Sequence, residues 1–227
     1  MAVDRVTDDV TCTVGLVGVS SYQGWQHMVG GRNANTQAPG FGTSILDRFT
    51  STFTFTSPLA ACGYSWNGHT ALLTRRNGRL SHVVGFNPKS MMLAGAMAMF
   101  TRQFCTTGEW YDDTPMVDDP TAVSFEIPVG FTQVDKLDRF LASLVGRSDM
   151  GKLSEGTTPY SYTFKPGDQA TEGEMRSNCG HAALKVLCRY LAKWGMAAER
   201  ERFESFLARD KNVSQGGMMK AIGQGFR

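Results

Sequence analysis

The chain has 227 residues, 41% of them apolar, 11% aromatic and 19% charged, with a formal net charge of +2. That length can bury a full core without staples, and the near-neutral balance excludes a dedicated electrostatic nucleic-acid binder. The longest apolar run, residues 91–100 (MMLAGAMAMF), falls far short of the ~20 residues a membrane helix requires, so no transmembrane segment is expected.

The N-terminal stretch MAVDRVTDDVTC is acidic where a Sec leader would be basic and then apolar, which predicts synthesis in the cytoplasm without a signal peptide. Residues 11–19 (TCTVGLVGV) read as a buried strand. Residues 24–42, rich in Gly, Asn and Gln, form a long loop, and residues 50–56 (TSTFTFT) alternate as a half-buried strand. Residues 68–86 carry two apolar strands around Asn77-Gly78, a strong hairpin signal because both central residues of a type I′ turn need positive φ. Arg75, Arg76 and Arg79 flank this turn and read as solvated turn residues, not as an anion site. A helix over 91–104 and an acidic loop around Asp112, Asp113, Asp118 and Asp119 follow. Residues 123–127 predict a strand. Residues 131–145 predict a helix with Thr132 as N-cap, and residues 160–164 a short strand. Ser177-Asn178-Cys179 opens an amphipathic helix that stops at Gly195; a second helix spans 197–208, and the Gly- and Met-rich tail is expected to be loosely held. Hairpin strands beside segregated helices make an α+β fold, an antiparallel sheet packed against helices.

The five cysteines, Cys12, Cys62, Cys105, Cys179 and Cys188, are scattered without Cys-x-x-Cys spacing. They read as free thiols of a reducing compartment, with no disulfide framework and no structural zinc signature. Cys179 stands apart because it occupies the first turn of a helix. Unpaired backbone N–H groups and the helix dipole favour a thiolate there, and the same N–H groups can receive a developing oxyanion. A thiolate nucleophile also needs a base and a group to orient that base. His69 and His82 lie on the two strands of the hairpin. A regular two-residue turn pairs His69 with Phe86 and His82 with Leu73, which puts both histidines on one face. His181 lies about 200° around the helix from Cys179 and cannot easily serve it. His27 falls in the long loop, and Cys12, Cys62, Cys105 and Cys188 are structural by default.

The ordered set GHTALL, turn, LSHVVGFNP, strand, helix and SNC opening a further helix resembles the circularly permuted papain-like enzymes. These are the permuted NlpC/P60 group and its lecithin:retinol-acyltransferase-like cousins. The resemblance spans roughly residues 66–194 and matches the family's first His to His69, its second polar residue to His82, thirteen positions on, and its Asn-Cys to Asn178-Cys179. It implies a papain-like fold over residues 61–227, with residues 1–60 as an N-terminal extension packed on that core. It further implies that Cys179 attacks an amide or ester carbonyl, that His69 moves the proton, and that His82 fixes the tautomer of His69. No cofactor or metal is implied. The substrates implied are peptide, peptidoglycan or protein. Free-standing permuted members also resemble effectors that bacteria deliver into target cells, so an immunity protein or a secretion component is an implied partner.

Three other readings use the same residues. The Cys-His-His set could pass an acyl group to an amine or lipid, as an acyltransferase or transglutaminase does. Cys179 could be inert in a binding domain. His69, His82 and Cys179 could together ligate zinc.

Overall fold

A computed structural model of the chain describes residues 11–19, 69–88, 106–148, 161–162, 176–210, 213 and 215–227. The expected loop over 24–42, the strand over 50–56, the helix over 91–104, and the residues His27, Cys62 and Cys105 lie outside them. The strands are β1 (Cys12–Val19), β2 (His69–Arg76), β3 (Arg79–Pro88), β4 (Thr106–Asp112), β5 (Val123–Val129), β6 (Ser161–Tyr162) and β7 (Arg176–Ser177). They form one sheet in the order β5-β1-β2-β3-β4-β6-β7, antiparallel throughout except for the short β6–β7 pair. Four helices are described: α1 (Phe131–Leu144), α2 (Cys179–Lys193), α3 (Ala197–Arg209) and α4 (Gln215–Gln224). A 3₁₀ turn, Thr114–Asp118, follows β4. The α+β class and the antiparallel sheet against helices are therefore as expected.

β1 is buried along nearly its whole length, which explains its almost continuous apolar sequence. Its even-numbered residues Val14 and Leu16 join Leu72, Val84, Phe86 and Trp110 on one face, under Leu137 and Leu141 of α1 and Leu184 and Leu187 of α2. Val17, Ala71, Leu73 and Val83 form the core of the other face with Met116 of the 3₁₀ turn. Residues 12–19 thus belong to the sheet interior, hydrogen-bonded between β2 and β5, and not to an extension packed on the core. β4 falls in the segment expected to be an acidic loop and its approach. Its polar sequence TTGEWYD still forms a strand because β3 pairs with residues 108–112 and β6 with Thr106 and Thr107.

The Asn77-Gly78 turn forms as expected, with φ of 52° and 72°. The register of the hairpin does not. Arg76 pairs with Arg79 and Arg75 with Leu80, but Thr74 pairs with His82, so Ser81 is an extra residue and the ladder slips by one. Every side chain of β3 beyond the bulge changes face relative to a regular hairpin. Val83, Gly85 and Asn87 therefore share the face of His69, Ala71 and Leu73, and His82 goes to the opposite face.

One buried carboxylate pins this bulge. Asp138 of α1, 3% exposed, accepts from Thr74 Oγ1 at 2.5 Å, Arg76 Nε at 2.7 Å and Ser81 Oγ at 2.7 Å. His82 Nδ1 lies 3.4 Å from the same carboxylate. Arg76 also pairs with Asp135, and Arg75 with Glu126 at 3.1 Å, so two of the three turn arginines tie the hairpin to its neighbours instead of standing in solvent. At the start of α1, Gln133 Oε1 accepts from the Gly130 N–H at 2.7 Å, so Gly130 takes the N-cap position expected of Thr132.

The tail is not loose. Met218 and Ile222 of α4 are buried, and Phe226 closes an aromatic cluster with Phe125, Phe203 and Phe206. Glycines on its neighbours make room for this helix: a Cβ at Gly18 or Gly180 would press on Met219 or Met218.

Asp138→Ala should leave Arg76, Thr74 and Ser81 without their acceptor. Breaking a fully buried pair costs about 3–5 kcal/mol. Arg76 is about one-third exposed, so we expect roughly 2–3 kcal/mol, read as a lower urea midpoint at unchanged m-value.

Candidate active site

Three side chains, His69, Asp113 and Asn87, meet on the second face of the sheet, at the end where β2 begins, and Cys179 comes near them from the tip of α2. His69 is the first residue of β2 and is 0% exposed. Its Nε2–H donates to Asp113 Oδ2 at 2.7 Å, and Asp113 is also 0% exposed. Asp113 stands just past β4, where its backbone N–H donates to the Val83 carbonyl at 2.8 Å and extends the β3–β4 ladder by one residue. That extension places it on the face of Val83 and Gly85. Asn87 Nδ2 donates to the same Oδ2 at 3.2 Å.

Gly85 sits beneath this meeting point. A Cβ built there would lie 2.0 Å from Asp113 Oδ2 and 2.5 Å from His69 Nε2. The space a side chain would fill is the space in which imidazole and carboxylate meet, so glycine is required by contact, not by backbone angle.

Cys179 approaches from α2, which packs on β2 and β3. Asn178 caps this helix: its Oδ1 accepts from the His181 N–H at 2.9 Å, and its Nδ2 donates to the Val213 carbonyl at 3.1 Å. The cap sets Cys179 as the first helical residue, where its own N–H and that of Gly180 precede the intrahelical ladder. The Cys179 side chain is 2% exposed and close enough to His69 for its charge to bear on the ring. Asp113 engages the ring through Nε2. Burial, the largest single influence on His69, favours the neutral ring. The charges of Cys179 and Asp113 and the hydrogen bonds to both outweigh it and raise the pKa from 6.5 to about 10.

The structure thus brings together His69 and Cys179 of the sequence-predicted set, but not His82. The bulge turns His82 to the other face, where it is 34% exposed beside Asp138. The expectation that both histidines share a face is overturned by this single extra residue. The zinc reading loses one of its three ligands for the same reason, and no cluster of metal-ligating side chains occurs among the described residues. His181 is engaged with Ser177 Oγ at 3.0 Å, consistent with its pointing away from the thiol. Burial, reinforced by the charge of Glu204, pushes the Cys188 thiol up to about 12, as befits a structural cysteine.

The residue that sequence reasoning missed is Asp113. It lies among four acidic residues in a segment expected to be loop, and no local signal separates it from Asp112. Only alternation along β4, which puts residues 109, 111 and 113 on one face, could single it out, and that needs the strand to be recognised first. No family model, no curated protein and no solved structure matches this chain.

Because the folded-state pKa of His69 lies above its unfolded value, its contribution to stability is complete below pH 6.5 and is lost as pH rises through about 10. The gap in unfolding free energy between wild type and His69→Asn should narrow across that window, measured by urea denaturation at successive pH values. In Gly85→Ala the new methyl group should part imidazole from carboxylate, and NMR should find the His69 titration displaced towards 6.5.

Proposed function

We propose that this protein is a cysteine-dependent amidase or peptidase in which Cys179 is the nucleophile, His69 the general acid and base, and Asp113 the group that orients His69. The observation that carries this reading is the buried line Asp113–His69–Cys179, with the sulfur at a helix N-terminus. Each part of the line answers a requirement of thiol catalysis. The carboxylate fixes Nε2 as a proton donor, and the proposed mechanism assigns exchange with the sulfur to Nδ1. The imidazolium so stabilised is the counter-ion a thiolate needs, and the first backbone N–H groups of α2 supply donors for a developing oxyanion.

The reaction proceeds in two halves. Sγ attacks the carbonyl carbon and an S–C bond forms. The tetrahedral intermediate collapses as His69 gives its proton to the departing amine. Neutral His69 then takes a proton from water, whose oxygen attacks the thioester. Release of the acid restores the thiol proton to the Cys179–His69 pair. An amine acceptor in place of water would make the same site a transferase.

The chain order, a strand histidine before a helix-opening cysteine, supports the finer architecture of a permuted papain-like fold. The proposed substrates are peptide amides, in peptidoglycan or in a target-cell protein. Asp113 in place of a second histidine gives this site a Cys-His-Asp composition.

Iodoacetamide alkylation followed by mass spectrometry tests the site without knowledge of the substrate. Wild type should react at Cys179, with a rate that is flat through neutral pH while His69 keeps its proton. In His69→Ala the rate should instead rise with the free thiol, around pH ~8.5. Reaction at Cys12 or Cys188 in place of Cys179 would overturn the assignment. On a panel of fluorogenic peptide amides and peptidoglycan fragments, Cys179→Ala and His69→Ala should abolish turnover. Asp113→Asn should lower kcat by about 10²–10⁴-fold through the wrong tautomer, whereas His82→Ala should stay within about twofold of wild type.

A further inference from the structure

We infer that Asn87 is a fourth member of this site, a positioning residue that holds the Asp113 carboxylate in the rotamer that meets His69. The inference rests on the reading of Cys179, His69 and Asp113 given above and adds a residue which that reading does not use.

Asn87 is 0% exposed on β3, two residues beyond Gly85 and on the same face. Its Nδ2 donates to Asp113 Oδ2, the oxygen that also accepts from His69 Nε2. Asn87 Oδ1 is buried with no hydrogen-bond partner among the described residues, and so is Asp113 Oδ1. A fully buried amide that satisfies only one end is a poor way to fill a core, because the unpaired oxygen bears its whole desolvation penalty. The one bond it does make is therefore the informative one. Both donors converge on a single carboxylate oxygen. An Asp side chain can turn about its terminal torsion, and a lone imidazole contact would leave that torsion weakly held. Two donors on Oδ2, arriving from separate strands, fix it.

The bulge at Ser81 makes this arrangement possible. With a regular hairpin Asn87 would lie on the opposite face from His69, and so would Asp113, whose segment pairs with β3. The extra residue that removes His82 from the site is the same residue that delivers Asn87 to it.

The test is the His69 imidazole titration, followed by side-chain ¹⁵N and ¹³C NMR in wild type, Asn87→Ala and Asn87→Ser. Loss of one hydrogen bond to a charged acceptor should lower the His69 midpoint by about one pH unit in Asn87→Ala. The Nε2–H proton should also exchange faster. Asn87→Ser keeps a donor on the same strand and should recover part of the shift; it also serves where the alanine variant does not fold. A His69 titration in folded Asn87→Ala that coincides with wild type, or in Asn87→Ser where the alanine variant does not fold, would overturn the inference and leave Asn87 as packing. This readout does not depend on Cys179 chemistry. If Cys179 proves unreactive in wild type while Asn87→Ala still shifts His69, the hydrolase reading fails and the positioning role stands. Preferential Cys179 alkylation with an unmoved His69 would instead sink the positioning role and leave the hydrolase reading standing.

Discussion

The hydrogen bond from His69 Nε2 to Asp113 Oδ2 is the contact on which the rest of the site depends. Both groups are fully buried, and a charged imidazole in that setting is strongly disfavoured without a partner. The carboxylate offsets that penalty and fixes Nε2 as a proton donor. Everything nearby is arranged to permit it. Gly85 leaves the volume in which the two groups meet, the β3–β4 ladder carries Asp113 one residue past the strand, and the 3₁₀ turn begins directly after it.

The two faces of the sheet divide the labour. The first face carries most of the apolar burial, with α1, α2 and α4 packed on Leu16, Leu72, Val84 and Phe86 or on the strands beside them. The second face has a smaller apolar core, around Val17, Ala71, Leu73, Val83 and Met116, and holds His69, Asp113 and Asn87. Since His69 begins its strand, it stands at the sheet's end, where the tip of α2 can reach it. Helix capping by Asn178 matters here as geometry as well as stability, because it decides which residue opens the helix.

Asp138 and Asp113 are both buried carboxylates in contact with a histidine, yet they do different things. Asp138 is saturated by Thr74, Arg76 and Ser81, and it locks a bulge. Asp113 has one oxygen shared by His69 and Asn87 and the other without a partner among the described residues. A saturated carboxylate beside an arginine is a structural clamp. One whose main partner is an imidazole in reach of a thiol is suited to proton chemistry. The clamp nevertheless sets the site, since the bulge it stabilises decides which residues of β3 face His69.

Local patterns in the sequence were enough to determine the α+β class, the Asn77-Gly78 hairpin, the helices from 131, 179 and 197, and the place of Cys179 at a helix start. These follow from turn chemistry, periodicity and capping, which act over a few residues. Tertiary structure alone decided the third member of the site, the place of His82, the strand at β4 and the ordered tail. Each of these depends on a partner distant in sequence: Asp138 of α1 holds the bulge that flips β3, β3 and β6 supply the ladders that make a strand of TTGEWYD, and the aromatic cluster around Phe125 gives Phe226 its seat. A one-residue slip leaves no trace in hydrophobic alternation when both faces are buried, because either register satisfies the pattern; only the carboxylate that pins Ser81 selects between them.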